Sequence, residues 1–517
     1  MLTQKLTKQV ISRYDYPVAE TPLGKIRGLE REGLFVFRGI KYANAERFRM
    51  PTPVEPWDGI KPAVNFGYAC PEMSRPSLID NTVNPHFWQV QDEHCQYLNI
   101  WTNTLDSTAK KPVMFWIHGG GWKSGFSQEL LAYDGENLCK FGDVVVVSVN
   151  HRLNCLGCLD LSSFVQEYED SVLVSLADLV EALKWVNKNI SAFGGDPDNV
   201  MIYGQSGGGS KTVYLMQSPA ADGLYSKACV QSGGAKYGIA PEGWTLKKMS
   251  RRVGELTMEE LGLTAETIQQ IDSIPYYFLA EAAKKAEKRI AGECGATYRW
   301  EPIGDNKYCF GSPFANDFRK ETMHIPMIVG SVFGEHSSNM GRNDPGECKN
   351  DWSNEEAMSR IRQRFGAQAD ALADAFREAY PENKVADLLY LDKYDRNQFR
   401  KYVVRRAAAG GKVWNYMFTF ESPYNGGTVA WHCADLPFTF HNAEYLEPSY
   451  VPGVTEKLQD QMAGAWVQFA RTGDPNHEGI PAWPAVESEE IPTMMFDVNT
   501  HVVWNHDKKL WELLKEL

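Results

Sequence analysis

The stretch Val200-Met201-Ile202-Tyr203-Gly204-Gln205-Ser206-Gly207-Gly208-Gly209 decides how the rest of the chain is read. Its first four residues, apolar or aromatic, predict a buried strand. The Gly-x-Ser-x-Gly that follows predicts a sharp turn. Such a turn strains the serine backbone, and only small neighbours let the chain segments pass closely enough. It presents the Ser206 hydroxyl above a sheet edge and starts a helix just behind it, whose N-terminus favours negative charge. A glycine-rich turn that merely contains a serine is the alternative, and the surrounding sequence decides between the two.

Working outward, Lys227 to Gln231 predicts the next strand, and Leu179, Leu183, Val186 and Ile190 fall at helical spacing over 177–190 before Gly194-Gly195-Asp196-Pro197 stops them. Upstream, Asp143 to Asn150 is a continuous apolar run, the mark of a parallel strand covered on both faces. Pro112 to Ile117 is a strand that runs into His118-Gly119-Gly120-Gly121-Trp122, where glycines let backbone N–H groups face a ligand. Tyr97 to Trp101 is another strand; residues 61–95 read as a long irregular loop, and residues 21–60 as a small N-terminal antiparallel sheet. Downstream come strands at Ile325 to Gly330 and Val413 to Phe420, the last long one, and a helix over 455–471 stopped at Gly473-Asp474-Pro475. Strand alternating with helix predicts an α/β protein with a large, mostly parallel, doubly wound sheet. Two charged helical insertions, about 241–300 and 351–410, break the rhythm. They form either a cap over a pocket or a solvated helical face.

Composition narrows the partners. The 517 residues carry a net charge of -13, which excludes nucleic acid, since phosphate binding needs basic patches. No apolar run is long enough for a membrane span. The N-terminal residues lack the apolar core of a secretory signal, so a cytoplasmic protein is expected. Ten cysteines in a chain of this size are not a disulfide scaffold. Cys155 and Cys158 form a C-x-x-C, but no second pair stands at zinc-finger spacing and no metal site is expected. Length alone allows several domains; the spread of motifs favours one catalytic domain over 1–517.

An acyl-transfer site needs a nucleophile, a base, a group that orients the base, and oxyanion donors. Ser206 is followed by Gly330-Ser331-Val332-Phe333-Gly334-Glu335-His336, directly after a predicted strand, and then by Trp431-His432-Cys433-Ala434-Asp435-Leu436-Pro437. Both fall in loops after strands, where a site at the sheet's C-terminal edge draws its groups. The chain order Ser, acid, His is that of an α/β-hydrolase, and the 119–121 glycine loop follows an earlier strand, as its oxyanion loop should.

With these motifs in place, the chain resembles the type-B carboxylesterases, the group that includes the cholinesterases. GQSGGG at 204–209 stands where the family usually has GESAGG, and FGGDPDNVMI at 193–202 matches its FGGDP-x-NVTI run. Glu93 to Asn99 matches EDCLYLN, 330–336 matches the acid segment G-T-N-x-D-E-G, His432 to Phe440 matches H-x-x-E-L-P-F-x-F, and Trp466 to Asn476 matches W-x-x-F-A-x-T-G-D-P-N. Hormone-sensitive-lipase-like chains also carry HGGGW but are far shorter and lack the FGGDP run. The resemblance implies an α/β-hydrolase fold and a cofactor-free carboxylester hydrolase working through an acyl-enzyme. It makes Ser206 the nucleophile, His432 the base and Glu335 its partner, with the N–H groups of Gly120, Gly121 and Gly207 as the oxyanion hole. An acyltransferase on the same triad is the rival reading. A non-catalytic binding protein on this fold is a second rival, which the joint presence of Ser206, Glu335 and His432 disfavours.

The departures bear on specificity. Gln205 replaces a Glu that in cholinesterases helps hold a cationic substrate, so a preference for neutral esters is expected. Gly207 replaces the usual Ala, leaving its N–H intact. Gln205, Trp122, Phe87 and Trp88 are the candidate substrate contacts, although single aromatics in loops are as often packing residues. Cys70 and Cys95 occupy the positions of a disulfide frequent in the family, and stand either bonded or as free thiols.

Overall fold

The computed structural model describes residues 9–73, 85–335 and 348–515. Their contacts gather into two compact units: 9–73, 87–129 and 133–322 in the first, and 85–86, 130–132, 323–335 and 348–515 in the second.

In the first unit the strands Val145–Val149, Lys111–Ile117, Gly195–Gln205 and Lys227–Gln231 lie side by side and parallel, with Met114 opposite both Val146 and Met201. Every residue of Val145–Val149 is buried, which is why the run is apolar throughout rather than alternating. Burying each such side chain is worth about 1.5–3 kcal/mol, so these strands make a stiff base for the turns at their ends. Tyr97–Thr102 then pairs antiparallel with Val145–Val149, and Leu34–Lys41, Leu29–Arg31 and Val10–Ile11 extend the sheet antiparallel.

The N-terminal region departs from expectation. Val18–Thr21 and Gly24–Arg27 do pair antiparallel, with Ile60–Pro62 added in parallel. Leu34–Lys41 instead joins the main sheet, because Leu34, Val36, Phe37 and Ile40 are buried and need the larger core. The helix Val174–Asn189 starts ahead of the predicted 177. It ends through the 3₁₀ turn Ile190–Phe193 and a left-handed Gly194 (φ 74°), which reverses the chain into Gly195–Gln205. Asp178 on this helix is buried against Arg152, whose guanidinium donates to both carboxylate oxygens at 2.6 and 2.9 Å. Removing one partner of such a pair typically costs about 3–5 kcal/mol.

In the second unit Met327–Val332, Val413–Phe418 and Pro492–Phe496 are parallel, and His501–Trp504 pairs antiparallel with the last. Pro492 is tolerated because it opens its strand. The helix Thr455–Thr472 stops at a left-handed Gly473, as the Gly-Asp-Pro signal predicts.

Both insertions are helical. The stretch 241–300 holds Leu246–Leu261 and Tyr276–Cys294, laced by Arg252 to Glu293 and Arg289 to Glu259 and Glu260. The stretch 351–410 holds Asn354–Phe365, Ala369–Ala379 and Asp395–Ala408. Among the described residues, no helix is long and apolar enough to cross a membrane.

Candidate active site

Gly195–Gln205 ends at Ser206, whose backbone sits at φ 57°, ψ −122°, and the helix Gly207–Met216 begins immediately after it. A non-glycine residue held there costs about 1–3 kcal/mol and persists only where its surroundings fix it. Here the Ser206 N–H donates to the Gln231 carbonyl at 2.8 Å, and its own carbonyl accepts from Ser210 N–H at 3.1 Å. The flanking glycines are required by space. A Cβ on Gly204 would come within 2.4 Å of the Gly208 backbone, and one on Gly208 within 2.0 Å of the Ile117 carbonyl oxygen.

The glycine loop after Lys111–Ile117 packs directly against this turn. A Cβ on Gly119 would lie 3.4 Å from Ser206 Cβ, and one on Gly207 only 2.3 Å from Gly121 N and O. Gly120 and Gly121 hold φ of 80° and 64°, the left-handed region that glycine enters freely. The first unit thus brings Ser206, Gly120, Gly121 and Gly207 into one small volume. Under the loop lie two buried imidazoles, His118 and His151, stacked 5.1 Å apart. Burial, and then the nearby Lys211, hold both well below the usual imidazole range. They are therefore neutral, and the Nδ1–H of His118 donates to the Gly119 carbonyl at 2.9 Å.

The other residues that the sequence singles out, Glu335 and His432, lie in the second unit. Glu335 follows the strand Met327–Val332 at φ 30°, with its carboxylate fully buried. Its Oε1 accepts the Val332 N–H at 3.0 Å, its Oε2 lies 2.5 Å from His432 Nδ1, and its backbone carbonyl accepts the His432 N–H at 2.9 Å. A carboxylate only accepts, so Nδ1 carries the proton and Nε2 of a neutral His432 is left with its lone pair. The imidazole is one-fifth exposed while its partner is sealed. A second carboxyl, Asp392, is pushed up to about 6 by burial and by the Glu335 charge. His336, the end of the quoted acid segment, lies outside the described residues, as do residues 74–84 of the 61–95 loop.

The proposed substrate contacts divide. Trp122 is fully buried: its indole N–H donates to Ser210 Oγ at 3.1 Å and its ring meets Tyr214 edge-on. It is a prop beneath the glycine loop rather than a pocket wall, which corrects the expectation of a substrate contact. Gln205 is equally buried, in strand register with Gln231, so it offers a neutral neighbour to the nucleophile and not an exposed amide. Phe87 and Trp88 are more than half exposed. Cys70 and Cys95 stand as free thiols, buried and hydrogen-bonded to each other, and Cys70 Sγ also accepts the Leu153 N–H. Cys155 and Cys158 are buried in Asn154–Cys158, where burial pushes both thiols up. Among the described residues, no group of three or more His, Cys, Asp or Glu is arranged to hold a metal ion.

One participant went unread in the sequence. Lys211, inside Gly207–Met216, is fully buried and reaches the glycine loop. The available signal was a lone charged residue in a helix otherwise made of small, apolar and uncharged polar residues.

Comparison with known proteins agrees in extent and kind. A model of the carboxylesterase family matches residues 15–511. The para-nitrobenzyl esterase of Bacillus subtilis (strain 168) is 30% identical over 502 residues, 93% of this chain and 95% of its own. The phenmedipham hydrolase of Pseudarthrobacter oxydans is also 30% identical, over 92% and 94%. A solved esterase from anaerobic Clostridium hathewayi, described as able to hydrolyze aliphatic aromatic polyesters, superposes with a TM-score of 0.91. It is 43% identical, over 98% of this chain and 100% of its own.

Proposed function

The chain belongs to the carboxylesterase family and is a serine carboxylester hydrolase of the α/β-hydrolase fold, and we propose that Ser206, His432 and Glu335 are its catalytic triad. The N–H groups of Gly120, Gly121 and Gly207 form its oxyanion hole. The observation that carries this reading is the strained Ser206 turn with the glycine loop packed against it.

In the first half-reaction Ser206 Oγ attacks the ester carbonyl carbon while His432 Nε2 takes its proton. The carbonyl oxygen becomes an oxyanion and is met by the three N–H groups, each such donor typically worth about 3–4 kcal/mol of barrier. The intermediate collapses, the C–O bond to the alcohol breaks, and the leaving oxygen takes the proton from His432. Water then repeats the sequence on the acyl-Ser206 ester and releases the acid. Glu335 holds the Nδ1–H, which keeps Nε2 free as the base and stabilises the imidazolium when it forms.

For the substrate class we infer neutral esters with aromatic parts. The support is the uncharged Gln205 beside the nucleophile and the activities for which the relatives are named, on a para-nitrobenzyl ester and on aliphatic aromatic polyesters. The family match runs across both compact units, which supports one catalytic domain. A cytoplasmic setting suits ten cysteines that all stand as thiols.

The test is turnover of a p-nitrophenyl ester by Ser206→Ala and His432→Ala. Both should lose about 10⁴-fold or more in kcat while remaining folded. Near wild-type turnover in either would refute the role assigned to that residue. For substrate class, kcat/KM is compared for a choline ester and its neutral isostere at physiological salt. The neutral ester should be preferred, and a tenfold preference for choline would sink that part.

A further inference from the structure

Lys211 is the one charged side chain in Gly207–Met216, and it is completely buried. An ammonium in such a place is unfavourable unless hydrogen bonds replace its water. Its Nζ donates to the His118 carbonyl at 2.9 Å and reaches the Gly119 carbonyl at 3.4 Å, above the Trp122 ring at 5.9 Å. The Gly119 carbonyl also accepts the His118 Nδ1–H at 2.9 Å, so two donors hold that oxygen from inside the protein. A trans peptide unit carries its C=O and N–H in opposite directions. Pinning the Gly119 carbonyl therefore fixes the direction of the Gly120 N–H. The loop needs such a clamp, since glycine occupies both signs of φ with little preference and a Gly-Gly peptide turns over easily.

We propose that Lys211 is a positioning residue for the oxyanion hole: it clamps the His118 and Gly119 carbonyls so that the Gly120 N–H is set for the oxyanion before substrate arrives. The proposal rests on the assignment of Ser206 as nucleophile and of the 119–121 loop as oxyanion loop. Lysine acts here without touching substrate. Its positive charge lies close behind the hole, and burial pushes it down to about 7, so either protonation state keeps N–H groups for the two carbonyls.

The experiment compares wild type, Lys211→Met, which keeps length and loses the donors, and Lys211→Ser, which is small enough for any packing but cannot reach the carbonyls. Steady-state kcat and KM are measured for a neutral p-nitrophenyl ester. Alongside them goes the inhibition constant of a trifluoromethyl ketone, whose hemiketal places an oxyanion in the hole. Expected is a fall of about 10- to 100-fold in kcat with KM within about threefold, because the lost stabilisation belongs to the transition state. Trifluoromethyl ketone affinity should weaken in step with kcat/KM. A folded variant with kcat within threefold of wild type overturns the proposal, as does a kcat loss that leaves ketone affinity unchanged. Ser206→Ala separates the two levels. If it is inactive while Lys211→Met is normal, the clamp alone is wrong. If Ser206→Ala is active, the nucleophile assignment fails.

Discussion

Glu335 answers two donors with one buried carboxylate, the Val332 N–H and the His432 Nδ1–H. A neutral amide cannot serve both without turning an N–H₂ toward one of them, and it leaves the forming imidazolium without a counter-charge. Glu335→Gln should therefore lower kcat about 10³–10⁴-fold with little change in KM; a loss below tenfold in p-nitrophenyl ester turnover would contradict the role. Lys211 gives a second residue-level expectation, in stability. Its pKa falls from 10.5 to about 7 on folding, because burial penalises the ammonium. Between those values the unfolded chain holds a proton that the folded protein has released, so stability gained from this group rises with pH across that window. The Tm of wild type relative to Lys211→Met should thus climb from pH 7 to 10. The groups facing Lys211 are His118, His151, Glu129, Cys158 and Cys70; the two imidazoles are already neutral there, and a flat difference would show the lysine to be solvated.

At the scale of elements, the turn and the glycine loop are fitted to each other through the absence of one methyl. A Cβ on Gly207 would lie 2.3 Å from Gly121 N and O, so alanine forces one backbone to move. Gly207→Ala should cost at least about tenfold in kcat while the melting temperature changes little, because the shift falls on the oxyanion donors. Unchanged kcat would mean that the loop relaxes freely. The same region shows what a sequence reveals. The parallel strands were legible because burial on both faces makes them uniformly apolar, as at Val145–Val149. The turn was legible because its geometry admits few residue types. Pro492–Phe496 and His501–Trp504 were not, since a short buried strand opened by proline and a short, half-exposed edge strand carry no distinct period. Leu34–Lys41 falls within the small N-terminal sheet read over 21–60 but joins the main sheet, because pairing partners are not written in a local pattern. The loops that carry Glu335 and His432 were legible from their place after strands and from the order Ser, acid, His, and the family motifs then singled out the residue in each, since a lone Glu or His has no local signature. Trp122 was misread for a related reason: an aromatic next to a catalytic loop looks the same in sequence whether it faces a pocket or props the loop from below.

For the whole molecule, 66 acidic against 53 basic residues give a net charge of -13. The field of such a surface reaches about 30 Å at 10 mM salt but only about 8 Å at 150 mM. An anionic ester should therefore gain in kcat/KM over a neutral isostere as salt rises across that range, by about two- to tenfold, through its association rate. Equal salt dependence of the two esters would show that the approach to the site is electrostatically neutral.

The nucleophile is the claim on which the rest depends, and covalent capture tests it most directly. A fluorophosphonate is titrated against the wild-type protein, and residual esterase activity is followed beside the mass of the adduct mapped to a peptide. A single adduct on Ser206, rising one-for-one with the loss of activity, is the predicted result. Complete inactivation with the adduct on another residue, or a fully modified Ser206 with turnover intact, would contradict the account.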